Sequence, residues 1–295
     1  MRRVLIVGWP SFVEGVATAG DVLAMEAAGR RLEAAGVPHD MAWSPVFRPG
    51  GLTLDRAEPR RYTHLLFVCG PLHGPDVEEL HRRYAHCRRV AVGVSVTDGH
   101  APAAAGFDAL IPRDGVNGTG SASRHDLSAD VPADRPGVPV VGVVPAPPQP
   151  EYGRRGRHDQ AAARLLDWLR ARDCARVPID TRLDPREWRL CATAAQLESV
   201  IARLDLVVTM RLHGLVLALK NGVPALAIDP IDGGAKVSAQ ARAWDWPAAL
   251  TLPLDEAALE REWAWCLSAE GRAAARDRGA APRASMMDDA LGELA

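Results

Sequence analysis

Short apolar runs recur along the chain, and stretches with helical spacing separate them. No other feature constrains the fold as strongly. Apolar runs that alternate with helical patterns read as successive β-α-β units, whose strands pair in parallel and are buried on both faces. Residues 4–8 form the first such run. A loop, "WPSFVEGVATAGD", then leads to a helical stretch at 22–35 that Gly36 closes. A weaker strand is expected at 40–43, a strong one at 64–70, a helix at 76–87, a strand at 90–96 and a short strand at 109–111. The pattern then restarts, with strands expected at 138–144, 176–179, 206–209 and 225–228. Helices are expected between them at 160–172, 195–203 and 215–219, and beyond them at 257–267 and from Met286.

Two such series predict an α/β chain of two Rossmann-like, doubly wound domains that face each other across a cleft. The expected boundaries are 1–134 and 135–295, with the linker at 131–139 preferred over the proline-rich 145–150. A length of 295 residues accommodates two domains. The composition, 47% hydrophobic and 24% charged, is that of an ordinary soluble protein. A net charge of −2 argues against nucleic acid as a partner, because phosphate binding needs a clustered basic face. No apolar run approaches the ~20 residues of a membrane span, so no integral membrane segment is expected. "MRRVLIVGWPSF" reads as a first strand and not as a signal peptide, since its apolar run is short and ends at Pro10. The five cysteines, Cys69, Cys87, Cys174, Cys191 and Cys266, are dispersed without a C-x-x-C pair. That pattern fits reduced thiols and a cytoplasmic location, with neither a disulfide framework nor a zinc site.

One stretch, "DLVVTMRLHGLVLALKNGVPALAID" from Asp205 to Asp229, places polar residues where a buried strand turns into a helix. Ligands of open parallel sheets bind beyond the carboxyl ends of the strands, where the next helix offers free N–H groups and the positive end of its dipole. Arg211 adds a planar fork suited to carboxylate or phosphate. His213 exchanges protons near neutral pH. Gly214 permits close backbone approach. The competing reading makes Arg211 a structural ion-pair partner and His213 a helix cap.

Other features have a bland explanation beside a functional one. Asp76, Glu78 and Glu79 read as first-turn charges that complement a helix dipole. Trp244, Trp246, Trp263 and Trp265 read as packing residues, with a sugar platform as the alternative. The basic run "GRRGRH" at 153–158 is either an acidic-group binder or a solvated loop. His81 and His86 read as surface residues, and Lys220 as solvent-facing.

The stretch around Arg211-Leu212-His213-Gly214, followed by Lys236-Val237, resembles the C-terminal signature of the polysaccharide pyruvyl transferases. "ATAGDVLAMEAA" at 17–28 resembles that family's N-x-G-D stretch, although Asp21 also suits the N-cap of the following helix. "DALIPRDG" at 108–115 resembles its short strand ending in Arg-Asp. The chain departs from the family at "CGPLHG", residues 69–74, where many members carry a glycine-rich run.

The resemblance implies a GT-B-like arrangement and transfer of pyruvate from phosphoenolpyruvate to sugar hydroxyls as a ketal, with phosphoenolpyruvate as co-substrate and no cofactor or metal. It implies a catalytic role for His213; His73, in the loop at the carboxyl end of the third strand, reads either as a second proton-handling group or as a solvated loop histidine. Donor contacts would come from Arg211, Leu212, Gly214, Arg113 and Lys236, and acceptor contacts from Gly20 and Asp21. The first domain would take the saccharide or other small-molecule acceptor and the second the donor, in one cleft. A glycosyltransferase using a nucleotide sugar is the alternative among enzymes, with Asp229 and Asp232 available to contact a ribose. A non-catalytic binding or scaffold member is the alternative outside them.

Overall fold

The computed structural model describes residues 2–13, 17–116, 124–132, 137–282 and 285–294. The chain divides into two compact units, Met1–Arg135 and Pro136–Ala295. The boundary expected at 134/135 falls at residues 133–136, outside the described ones.

The first unit runs β1 (Val4–Val7), α1 (Ala19–Ala34), β2 (His39–Met41), β3 (His64–Pro71), α2 (Pro75–Arg83), β4 (Arg88–Val96), α3 (Pro102–Ala105) and β5 (Ala109–Val116). Its strands form one all-parallel sheet in the order β2-β1-β3-β4-β5. Successive side chains of a strand point to opposite faces, and the core sorts by that parity. Val4, Ile6 and Val68 pack under α1 with Ala24 and Met25. Leu5, Val7, Leu65 and Phe67 pack on the other face, with Val77 and Leu80 of α2 and Ala103 and Ala104 of α3. Both faces are therefore covered, which is why these strands read as continuous apolar runs. β5 extends past the expected 109–111 because β4 continues to pair with it across two register shifts.

The second unit runs β6 (Val140–Val144), α4 (His158–Arg170), β7 (Ala175–Pro178), α5 (Ala194–Ile201), β8 (Leu206–Thr209), α6 (Leu212–Lys220), β9 (Ala225–Asp229), α7 (Lys236–Ala243), β10 (Ala249–Thr251), α8 (Glu256–Leu267), α9 (Ala269–Ala280) and α10 (Met286–Leu294). Its sheet is also all parallel, in the order β10-β9-β8-β6-β7. Three of these elements carry too weak a pattern to be read from sequence. The α7 stretch "KVSAQARA" buries only Val237 and Ala241. The strand β10 is three residues long and is defined by its pairing to β9. The α9 helix is mostly alanine, arginine and glycine and buries only Gly271 and Ala275.

Numbered within each unit, both sheets follow one plan. The first strand lies between the second and the third, and the rest follow outward. The order therefore reverses between β1 and β3 in one unit and between β6 and β8 in the other. At such a switch point the connecting segments leave to opposite sides and open a crevice at the carboxyl ends.

Trp244, Trp246, Trp263 and Trp265 pack against the core of the second unit. Trp246 lies 5.0 Å from Trp265 and Trp168 lies 5.5 Å from Trp263, measured between ring centroids. Trp246 also donates its indole N–H to the carbonyl of Ala225. Packing is thus their role, as the sequence pattern suggested. His81 corrects its expected surface role. It is half-buried, hydrogen-bonded through Nε2 to the Ala103 carbonyl at 2.9 Å, and set edge-on against Phe107.

Fully buried Phe67 joins β3 to α2 and α3, whereas Trp188 is 87% exposed in the second unit. Phe67→Ala is expected to destabilise the first unit by about 3–5 kcal/mol, and Trp188→Ala to change stability by no more than about 0.5 kcal/mol. Urea unfolding followed by circular dichroism measures both. Equal effects would contradict this assignment of the core.

Candidate functional site

The polar knot lies at the switch point of the second unit, beyond the carboxyl ends of β6 and β8. Thr209, the last residue of β8, is fully buried and pins the turn. Its hydroxyl accepts the Arg211 N–H at 2.9 Å and donates to the Arg211 carbonyl at 3.1 Å. α6 starts at Leu212, three residues before the expected 215, so Arg211 becomes its N-cap. No side chain caps that end. The first-turn N–H groups and the helix dipole therefore face the crevice. Gly214 is buried behind the turn, where a Cβ would overlap the Thr209 side chain. Its role is thus to let α6 start tight against β8.

Arg211 bridges the switch point. Its Nε donates to the Pro145 carbonyl, just past β6, at 3.1 Å. Its Nη2 lies 3.6 Å from Asp180 Oδ1, just past β7, and the two side chains are 17% and 20% exposed. Burial pushes the Asp180 carboxyl up, but the bonds from Arg182 and the charge of Arg211 outweigh it and hold Asp180 below the usual carboxylate range. An incoming anion would meet Arg211 already oriented, with Asp180 as its competitor.

A pocket of about 190 Å³ opens here, lined by Gln149, Thr181, Arg211, Leu212, His213 and Lys236 among others. His213 is exposed and has no hydrogen-bond partner among the described residues, so it does not cap α6. Lys236, the first residue of α7, holds its Nζ 5.6 Å from the centre of the Tyr152 ring. The structure thus gathers Arg211, Leu212, His213 and Lys236 at one opening and puts Gly214 behind them.

The other expected residues line a separate pocket at the switch point of the first unit. It measures about 690 Å³, and Gly20, Asp21, His73 and Arg113 are among its walls. Thr18, and not Asp21, is the N-cap of α1; its hydroxyl accepts the Asp21 N–H and donates to the Asp21 carboxylate at 2.6 Å. His73 is exposed and lies 5.0 Å from Trp9, ring to ring. Arg113 is no loose surface residue. It donates to Asp126 at 2.5 Å, to Ser95 Oγ at 3.1 Å and to Cys69 Sγ at 3.3 Å, and it pairs with Asp114 at 3.4 Å. Two carboxylates therefore already answer its charge.

The backbone at the end of β3 is strained into positive φ at Cys69 (65°) and Gly70 (76°). A Cβ at Gly70 would overlap the Trp9 indole, so glycine is required for Trp9 to lie there. Burial and the nearby Asp126 push the Cys69 thiol up to about 11, so it stays protonated at neutral pH and is no nucleophile. All five cysteines are free.

Sequence reading missed Asp180, Thr209, Trp9 and Asp126, and gave Asp76 the first-turn place in α2 that it holds. Each of the first three follows or ends a strand, a position that signals the crevice but not which side chains turn inward. Asp229 proved to be structural. It is fully buried and accepts the N–H groups of Ile231, Ala235 and Ser238 at 3.2, 2.7 and 2.9 Å, so it is not available to a ribose. Nor does it close the last strand, because β10 follows. Asp232 is held by Arg157, whose Nε lies 2.9 Å away. Arg155 donates to the carbonyls of Asp232 and Gly234, so the basic run is folded onto this loop. Lys220 is exposed and paired with Glu198. No helix among the described residues is long and apolar enough to cross a membrane.

The model of the polysaccharide pyruvyl transferase family matches residues 159–232, a segment of the second unit that contains the whole Arg211–Gly214 turn. No curated protein matches the chain. Among solved structures, the spinosyn rhamnosyltransferase SpnG complexed with thymidine diphosphate is similar at 14% identity over 95% of each chain, with a TM-score of 0.33. The glycotransferase of kitacinnamycin is 14% identical over 99% of this chain and 98% of its own, with a TM-score of 0.32. The E. coli heptosyltransferase WaaC with ADP is 13% identical over 90% and 99%, with a TM-score of 0.27.

Gly214→Ala is expected to push α6 off β8 and to destabilise the chain by about 1–3 kcal/mol, although alanine is the better helix former. Thermal unfolding measures the loss. An unchanged or raised melting temperature would mean that the Thr209 turn does not set the helix start.

Proposed function

We propose that this chain is a pyruvyl transferase that moves the pyruvyl group of phosphoenolpyruvate onto hydroxyls of a saccharide or related small acceptor. One observation carries the reading. Within the segment that matches the family, Arg211 and His213 open onto one pocket beside an uncapped helix N-terminus, with Lys236 joining them.

Phosphoenolpyruvate bears a phosphate and a carboxylate on a three-carbon frame. Its recognition calls for cations and N–H donors converging within a few ångströms. The Arg211 fork, the first-turn N–H groups of α6 and the Lys236 ammonium answer that need. Asp180 holds the guanidinium in place before the anion arrives and gives it up as the anion binds. In the reaction, two acceptor hydroxyls add to C2, and the bond from C2 to the phosphate oxygen breaks. One hydroxyl proton ends on the methylene carbon, and the other leaves with phosphate. His213, exposed at the pocket and without an internal partner, is the group here suited to carry a proton between these positions. The nucleotide-sugar reading finds less support, because Asp229 is fully engaged by backbone amides.

Phosphate release from phosphoenolpyruvate with a panel of sugars tests the activity. Arg211→Lys is expected to raise KM for phosphoenolpyruvate, since lysine keeps the charge but lacks the two-pronged geometry. His213→Asn is expected to lower kcat by about 10²–10⁴-fold where chemistry limits turnover. Turnover near wild type in His213→Asn would remove the proton-transfer role. Stabilisation against heat by nucleotide sugars and not by phosphoenolpyruvate would transfer the reading to glycosyl transfer.

A further inference from the structure

The pocket of the first unit has a polarity of its own. Three carboxylates line it, those of Asp21, Asp76 and Asp126, against one guanidinium, that of Arg113. Asp126 and Arg113 cancel each other at 2.5 Å. Asp114, on the far side of the same guanidinium, adds a further negative charge. Asp21 is engaged only by the neutral Thr18 hydroxyl, and Asp76 is exposed in the first turn of α2. Neither has a cationic partner among the described residues. The Cys69 thiol senses the same field, since Asp126 and Asp21 both raise its pKa beyond what burial does.

The second observation is aromatic. Trp9 and His73 lie 5.0 Å apart at 33° on the wall of this pocket. Trp9 is fixed by its indole N–H to the Pro71 carbonyl at 3.1 Å and by the bare Gly70 against its ring. An aromatic face held rigidly at the edge of a polar cavity suits the apolar C–H face of a sugar ring, which loses little water in stacking on it. The volume, about 690 Å³, accommodates one or two sugar rings. The hydroxyls of Thr18 and Ser128 also line it; their protons go to Asp21 and Asp126, which leaves their lone pairs to accept.

We infer that this pocket binds an amino sugar carrying a free, protonated amine, with the ring against Trp9 and His73 and the ammonium between Asp21 and Asp76. Ammonium–carboxylate hydrogen bonds are about twice as strong as neutral ones and are hardly satisfied by an N-acetyl or hydroxyl group at the same position. The same carboxylates repel phosphates and uronates, which keeps the acceptor pocket clear of the anionic donor. The inference rests on the pyruvyl transfer reading and on the acceptor role that the family resemblance implies for the first unit, and it names the chemical class of that acceptor.

Calorimetric titration of the full chain, without phosphoenolpyruvate, tests it with glucosamine, N-acetylglucosamine, glucose and glucuronate at pH 7 and low salt. Glucosamine is expected to bind tightest, about tenfold above glucose, with the advantage shrinking in high salt. Asp76→Asn, at an exposed first-turn position of α2, is expected to reduce the glucosamine-to-glucose ratio. The Asp21→Asn/Asp76→Asn pair should bring it to within about twofold. Trp9→Ala is expected to weaken all the sugars together. Equal binding of glucosamine and glucose, or glucuronate binding tightest, would overturn the inference, as would a ratio unchanged by both substitutions. Because the titration contains no donor, amine-selective binding without phosphate release would sink the pyruvyl transfer reading and leave this one standing. Phosphate release with neutral sugars and no amine preference would do the reverse.

Discussion

Parallel pairing with one reversal of strand order is the constraint from which the rest follows. Parallel strands must be joined by crossovers, and in this chain helices supply most of them and cover both faces of each sheet. All carboxyl ends then lie on one edge. Where β1 meets β3, and again where β6 meets β8, the chain departs to opposite sides and cannot fill the space above the strands. Both pockets that collect the chemistry-bearing residues occupy those two positions.

Within that frame, a single buried hydroxyl organises the turn in the second unit. Thr209 has no water to bond to, so its donor and acceptor must be met inside the protein, and the Arg211 backbone meets both. The bare Gly214 lets α6 begin within contact of that hydroxyl. Together they fix the direction in which Arg211 and His213 project, while Pro145 and Asp180 fix the guanidinium itself. Of the readings open at sequence level, the ion-pair one holds for Arg211 and the cap one fails for His213. Arg211 does have an ion-pair partner, and it still lines the pocket. His213 is no cap.

The two units present opposite electrostatics on the same topology. Arg211 and Lys236 make the opening of the second unit cationic, and Asp21 and Asp76 make that of the first anionic. Opposite fields of this kind sort anionic from cationic ligands before any shape-specific contact forms. Fold alone could not have indicated this, because the sheets share one strand order and differ only in the side chains at their ends.

The residues alone determined the layout of strands and helices wherever burial imposes a period. Val4–Val7, Leu206–Thr209 and Ala225–Asp229 are covered on both faces and so are apolar but for the terminal Thr209 and Asp229, which any reading of the sequence detects. The polar turn at 211–214 was legible for the complementary reason, being an exception inside such a run. Elements held by neighbours instead of by their own pattern were not legible: β10 exists because β9 pairs with it, and α7 starts where Asp229 accepts its amides. Partners far apart in the chain were also decided only by tertiary structure. Asp180 faces Arg211 across 31 positions and Asp126 meets Cys69 across 57, because parallel crossovers bring the ends of non-consecutive strands together at one edge. The sequence named the arginine and the histidine; the sheet order determined which carboxylates stand beside them, and hence which charge each pocket presents.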